Sequence, residues 1–260
     1  MKLIQSRDNP LYKKLSKLAT SARYRAECAE TLLEGVHLLA AYLEAGKVPK
    51  QLVVTGAALD NSELAALLAH LPETNCTLLD DRLFGGLSEL KTPTGILALM
   101  GIPSPARDVE ASRFALLLED IQDPGNLGSM LRSAAAAGCD SVFLSQGCAD
   151  AWSPRVLRAG MGGHFQVAIH ENAVLTDVAG RFPGAVYATA PEADASLYDS
   201  KLQGNLAFAV GNEGAGLSAA LMAVAQPLRI PMPGRLESLN AAAATAICLF
   251  EAVRQQQQSR

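Results

Sequence analysis

Over the first hundred residues, short apolar runs alternate with longer stretches of helical period. LLEG (32–35), QLVVTG (51–56), CTLLD (76–80) and GILALM (95–100) have strand length, whereas VHLLAAYLEAG (36–46) and SELAALLAHL (62–71) repeat apolar residues at three and four. That alternation predicts a small α/β sandwich. It resumes through ALLLED (115–120), a helix ending at Gly138, SVFLS (141–145), QVAIH (166–170), AVYATA (185–190), LAFAVG (206–211) and LRIPM (228–232), and closes in a helix from about Leu239 to Arg254. Strands separated by helices predict a parallel, doubly wound sheet. The stretch 101–112, GIPSPARDVEAS, carries two prolines, a glycine and mixed charge, so it reads as a linker between domains 1–105 and 106–260. No internal repeat appears, and the terminal QQQQSR is expected to fray.

Composition narrows the picture. The chain has 260 residues, 49% of them apolar and 18% charged, enough for two modest cores. A net charge of -4 excludes a uniformly basic nucleic-acid coat. No N-terminal apolar run resembles a signal peptide, and no stretch approaches the roughly 20 apolar residues that span a bilayer, so a cytoplasmic protein without a membrane partner is expected. Cys28, Cys76, Cys139, Cys148 and Cys248 are odd in number, lack C-x-x-C spacing and read as buried small hydrophobes. His37, His70, His164 and His170 show no ligand spacing, so no metal site is expected. The one strongly basic stretch is residues 1–25, with Lys2, Arg7, Lys13, Lys14, Lys17, Arg23 and Arg25 against Asp8; Tyr12 and Tyr24 add stacking surfaces. A solvated helix face explains it as well as RNA contact does.

Three loops at strand ends carry the candidate chemistry. In LLLEDIQDPGNLGSMLRSAAAAG, a strand runs through a D-P-G-N turn into a helix. Asn126 has the residue type of an N-cap. Arg132 has Gly128, Ser129, Ala135 and Ala136 three and four residues away, so no acid on its own helix pairs with it, and its guanidinium suits an anion such as a phosphate. The second loop, GNEGAGLS, holds Gly211, Asn212, Glu213, Gly214 and Gly216. Its glycine order does not meet the G-x-G-x-x-G dinucleotide fingerprint, which argues against a nicotinamide-dependent dehydrogenase. The third loop, IPMPGRLESLN, stiffened by Pro231 and Pro233, presents Ser238 and Asn240 ahead of an alanine run. Each residue has a local explanation as a cap or turn. Three loops of one sheet with Asn126, Arg132, Glu213, Ser238 and Asn240 also look like polar groups converging on a ligand crevice.

Together D-P-G-N-L-G-S-M-L-R, G-N-E-G-A-G-L-S and I-P-M-P-G-R-L-E-S-L-N resemble, in order and spacing, the three motifs of the SpoU (TrmH-like) RNA 2′-O-ribose methyltransferases. The resemblance covers residues 115–255. SRDNPLYKKLSKL, LLEGVHLL and TPTGILAL resemble the substrate-binding domain that precedes it. The resemblance implies a SPOUT-type α/β parallel sheet with a C-terminal trefoil knot, preceded by a small α/β ribosomal-protein-like (L30e-like) domain. It implies S-adenosylmethionine as methyl donor, held around Gly211, Asn212, Gly214, Ile230, Met232 and Leu239, and catalytic roles for Asn126, Arg132, Glu213, Ser238 and Asn240. A homodimer and an RNA partner, leading to ribosomal (23S-type) RNA bound through the N-terminal domain, are implied as well. Ser133, where threonine is frequent, is a small departure. A transfer RNA ribose or base methyltransferase of the same knotted class, or an RNA-binding protein without catalysis, are the alternatives.

Overall fold

The computed structural model describes residues 2–69, 71, 76–105, 107–236 and 238–258. His70, Ala106, Glu237 and the terminal Ser259 and Arg260 lie outside the described residues. The chain forms two compact units: one holds the residues up to 104 together with 152–162, the other residues 105–151 and 163–260.

The first unit is a five-stranded mixed sheet with helices. Its strands are β1 (Lys2–Ile4), β2 (Glu30–Glu34), β3 (Gln51–Val54), β4 (Cys76–Leu79) and β5 (Ile96–Gly101). They lie in the order β1-β4-β3-β5-β2, with β1, β4 and β3 parallel and β5 antiparallel to both β3 and β2. The helices are α1 (Pro10–Thr20), α2 (Ala22–Cys28), α3 (Val36–Glu44), α4 (Ser62–Ala69) and α5 (Asp81–Gly85). Helix α1 starts where it does because the Asn9 side chain accepts from the Leu11 N–H and Pro10 takes the first helical position. Its Leu15 and Leu18, three residues apart, then bury against Leu32, Val53 and Leu97 of the sheet. β1 gives no signal in the sequence: it is three residues long, at the sheet edge, and only Ile4 is buried.

The second unit is a six-stranded, wholly parallel sheet. Its elements run β6 (Phe114–Leu118), α6 (Pro124–Ala137), β7 (Ser141–Leu144), β8 (Ala168–His170), α8 (Leu175–Arg181), β9 (Ala185–Thr189), β10 (Leu206–Val210), α9 (Ala219–Met222), β11 (Gln226–Leu228) and α10 (Ala241–Gln258); between β7 and β8 the chain leaves for α7 (Pro154–Gly160), which belongs to the first unit. The strand order is β11-β9-β10-β6-β7-β8. The two central strands, FALLL and LAFAV, are buried along their whole length, as expected of strands covered on both faces. Ala115 and Leu117 pack with Phe143, Val178 and Phe182, while α6 and α10 pack on each other.

Three sequence expectations shift. The strand expected at 228–232 sits at Gln226–Leu228, because Pro231 and Pro233 remove ladder donors downstream. The last helix starts at Ala241 and continues through Gln258. Its glutamines do not fray: Gln255 accepts from the Leu202 N–H at 2.9 Å and donates to the Ser200 carbonyl at 3.1 Å. Helix α7, placed by sequence in the domain 106–260, folds with the first unit. There Thr31 Oγ1 donates to the Trp152 carbonyl at 2.5 Å, and Arg158 pairs at 3.0 Å with Glu34, whose side chain is only 2% exposed. Of the cysteines, Cys139 and Cys248 are buried; Cys28, Cys76 and Cys148 are half-buried.

Candidate active site

The carboxyl ends of β6, β9 and β10 meet at one edge of the parallel sheet, the position at which open α/β sheets bind ligands. From β10 the chain enters loop 211–218 under tight constraint. A Cβ on Gly211 would lie 2.3 Å from the Gly216 carbonyl, so only glycine lets the loop fold back on its own stem. Asn212 fixes the turn: its Oδ1 accepts from Gly214 N at 2.8 Å and Ala215 N at 3.0 Å, while its carbonyl accepts from Gly216 N at 2.9 Å.

This loop forms one wall of a cavity of about 490 Å³. Val210, Leu228, Ile230, Met232 and Leu239 give it an apolar side, and Glu192 and Glu213 are the only charged residues in its lining among the described residues. All six residues expected to bind the donor, Gly211, Asn212, Gly214, Ile230, Met232 and Leu239, line it. So do Glu213 and Ser238 from the catalytic set.

Asn126 and Asn240 lie outside that lining but join Glu213 in a chain of hydrogen bonds. Asn126 Nδ2 donates to Glu213 Oε1 at 2.5 Å, and Asn240 Nδ2 donates to Asn126 Oδ1 at 3.0 Å. One residue from each of the three loops is thus tied into a single strap. The caps differ from the local reading of the sequence. Asp123, not Asn126, caps α6, accepting from Asn126 N at 2.8 Å, which frees the Asn126 amide to reach across. Asn240, not Ser238, opens α10, its Oδ1 accepting from Ala242 N at 2.9 Å and Ala243 N at 3.2 Å. Arg132 does not line the cavity. It lies farther along α6, exposed, with no hydrogen-bond or ion-pair partner among the described residues.

Sequence reasoning missed two groups. Thr189, Ala190, Pro191 and Glu192, at the end of β9, also line the cavity. The signal was the polar, proline-bearing end of the run AVYATA, but nothing local says that β9 is the neighbour of β10. The other group is Glu119 and Asp120 at the end of β6. Cys148 sits beside them, donating to the Leu118 carbonyl at 3.2 Å; burial pushes its thiol above the ordinary range, so it stays protonated.

Three of the seven basic side chains of the first unit's N-terminal run are ion-paired, and two more are engaged by an aromatic ring or a backbone carbonyl. Lys13 pairs with Asp8 at 2.9 Å, Lys14 with Glu30 at 2.6 Å and Arg23 with Glu27 at 2.7 Å. Lys17 lies 5.3 Å over the Tyr24 ring, and Arg25 is buried, donating to the Leu18 carbonyl at the end of α1. Lys2 and Arg7 alone of the seven have no side-chain partner among the described residues. Glu27 and Glu30 stand just beyond the stretch from which the charge was counted.

Both units have known counterparts. Residues 113–250 match the SpoU rRNA Methylase family, and residues 9–98 match the MRM3-like substrate binding domain. The chain is 34% identical to the 23S rRNA (guanosine(2553)-2'-O)-methyltransferase RlmP of Bacillus subtilis, over 96% of this chain and 98% of that protein. It is 30% identical to the mitochondrial rRNA methyltransferase 3 of Homo sapiens, over 94% and 72% respectively. Among solved structures, an RNA 2'-O ribose methyltransferase superposes with a TM-score of 0.81 at 32% identity, over 97% of this chain and 98% of that one. The SpoU methyltransferase AviRb from Streptomyces viridochromogenes, in complex with the cofactor AdoMet, gives 0.85 at 27% identity, over 95% and 98%. An α/β unit with a parallel sheet, three motif loops at its carboxyl edge and a matched domain before it leave one assignment: the chain belongs to the SpoU rRNA methylase family.

Proposed function

We propose that this protein transfers a methyl group from S-adenosylmethionine to a ribose 2′-hydroxyl of ribosomal RNA. The observation that carries the reading is the cavity enclosed by loop 211–218 and the segment before α10, with the Glu213–Asn126–Asn240 strap beside it. The donor fits the residues present. The cavity's volume is in the range of small-molecule sites, its apolar side suits a flat purine, and a lining that is acidic and has no lysine or arginine among the described residues suits a sulfonium and an ammonium. Ile230, Met232 and Leu239 would hold the adenosine end, and the backbone of Gly211, Asn212 and Gly214 would approach it closely. When bound, the donor supplies an electrophilic methyl group.

The chain's own residues prepare the acceptor. A ribose hydroxyl is a weak nucleophile while protonated, so positioning and electrostatic help set the rate. Arg132 supplies the help: the positive charge of its guanidinium favours the oxyanion that develops at the 2′-oxygen. The unpaired state of Arg132 among the described residues supports that role, since no carboxylate of theirs is bonded to it. Glu213, Asn126 and Asn240 hold the three loops in register, and Ser238 stands at the cavity wall, a hydroxyl available to the ribose.

The first unit serves as the RNA-binding domain, a ribosomal-protein-like α/β module. The second carries a C-terminal trefoil knot, a reading that rests on its membership of the SpoU rRNA methylase family. Leu236 and Phe250, large and exposed on the segment before α10 and on α10 itself, support a homodimer.

Ribose methylation mapped in ribosomal RNA from cells with and without the gene tests the reading. One 2′-O-methyl position is expected to disappear, and the purified protein with S-adenosylmethionine is expected to restore it on unmodified RNA. No change at any ribose, or methyl transfer to a base, overturns it.

A further inference from the structure

Two consecutive residues at the end of β6 hold both ends of loop 211–218. The Glu119 carboxylate takes two bonds from Ser218, one from its backbone N–H at 2.6 Å and one from its hydroxyl at 2.8 Å. The next residue, Asp120, accepts from Asn212 Nδ2 at 3.0 Å through its carbonyl. The near end of the loop hangs on Asp120 and the far end on Glu119, with the cavity-lining residues 211–217 between.

The anchor is itself fixed. Glu119 N donates to the Val210 carbonyl at 3.0 Å, continuing the β6–β10 ladder. Asp120 has a φ of 55, a left-handed conformation uncommon for a residue with a side chain. Ser145 at the end of β7 holds it there: Asp120 N donates to Ser145 Oγ at 2.9 Å, and that hydroxyl donates to Asp120 Oδ1 at 2.6 Å. A Cβ at Gly147 would fall 2.2 Å from the same carboxylate oxygen, so the β7 loop passes directly over it. Neither Glu119 nor Asp120 lines the cavity. A glutamate spending both oxygens on one serine is poorly explained by solvent exposure and well explained by the need to fix a glycine-rich loop with little stiffness of its own.

We infer that Glu119 is a positioning residue for the donor site, closing loop 211–218 through its two-point grip on Ser218. This rests on the reading of the cavity as the S-adenosylmethionine site. Glu119 acts through the loop and touches no part of the donor, so its loss weakens the donor and its product S-adenosylhomocysteine, which lacks the sulfonium charge, alike.

The test is calorimetry of the full-length protein with each compound, together with KM for donor and for RNA. Glu119→Gln sets an amide N–H against the Ser218 donors; it is expected to weaken both compounds by the same factor, roughly ten- to a hundredfold, and to raise the donor KM while the RNA KM holds. Ser218→Ala, which keeps the backbone bond, is expected to show a smaller loss in the same direction and replaces Glu119→Gln if that variant does not fold. Unchanged donor affinity in the folded variants overturns the inference, as does a lowered melting temperature with both KM values unchanged. A loss confined to S-adenosylmethionine overturns it too, since it means direct contact with the sulfonium. If the wild-type protein binds neither compound, the reading of the cavity has failed instead.

Discussion

A set of cations in the first unit and one cation of the second are held in opposite ways. In the first, three sites are tied down: Lys14 and Lys50 share the buried Glu30, Arg158 is set against the buried Glu34, and Arg23 lies along its helix on Glu27, as Arg181 lies on Glu110 and Asp177 and Arg254 on Glu251 in the second. In the second, Arg132 stands on a helix of small residues with no partner among the described residues, close in sequence to a strap of three polar side chains. A paired cation contributes to the fold and has little left for a ligand; an unpaired one contributes little to the fold and keeps its charge for a ligand. A count of basic residues in a segment therefore does not say which of them keep their charge for a ligand.

The largest consequence falls on Arg132. Arg132→Ala is expected to lower single-turnover methyl transfer roughly a hundred- to a thousandfold while donor affinity, measured by calorimetry, holds. Transfer near the wild-type rate would end the contrast, leaving Arg132 another surface cation. Next comes the opposite case. Arg158→Met leaves Glu34 buried with its Ser88 hydrogen bond but without its cation, and is expected to cost about 3–5 kcal/mol of stability in denaturant unfolding. The full chain is the right material. A fragment beginning at residue 106 strips Trp152, Val156 and Leu157, all buried, of the unit they fold with.

Much of this was legible in the sequence. The strand runs of the second unit and the glycine stop after α6 follow from local pattern, whereas Gly211, Asn212, Gly214, Ile230, Met232 and Leu239, which line the cavity, are pointed to only by the family resemblance of the three loops. What was not legible depended on contacts between distant segments. Asn126 reads locally as a cap, and only its bonds to Glu213 and Asn240, 87 and 114 residues away, reveal its part in the strap. Glu119 reads as the last residue of a strand until Ser218, 99 residues on, is seen to bond it. Helix α7 carries no mark that it folds with residues more than a hundred positions earlier, because burying Val156 and Leu157 requires only an apolar surface and does not specify which one. The pairing of the basic run was legible only in part, since Asp8 lies within it but Glu27 and Glu30, the partners of Arg23 and Lys14, follow it directly.

Glu30 gives the comparison a pH signature. Burial raises its carboxyl, but the Lys14 and Lys50 ammoniums outweigh burial and hold it below its ordinary value of 4.5. The folded state therefore keeps the carboxylate where the unfolded chain already takes up a proton, so this stabilisation is complete above 4.5 and is lost as pH falls through the lower folded value. Glu30→Gln is expected to flatten that part of the acid limb in urea unfolding at a series of pH values. An unchanged limb would mean that the two lysines do not favour the charged form.

The smallest effect separates paired from unpaired cations in RNA binding. Each basic side chain that neutralises a phosphate adds about 0.7 to 0.9 to the slope of log affinity against log salt. Lys2 and Arg7 have no side-chain partner among the described residues, whereas Arg23 is engaged with Glu27 at 2.7 Å, an exposed pair worth at most about 1 kcal/mol to the fold. Removing Arg23 alone would also expose Glu27 and repel the RNA, so the informative variant removes both: Arg23→Ala with Glu27→Ala leaves the net charge unchanged. That pair is expected to leave the salt slope where it was, while Lys2→Ala with Arg7→Ala is expected to lower it by about 1.4 to 1.8 if both meet phosphates. Filter binding of ribosomal RNA at several salt concentrations reads both. An equal drop in the two double variants would mean that ion pairs at this surface open freely for RNA, and the distinction between tied and free cations would then hold only for the buried pairs.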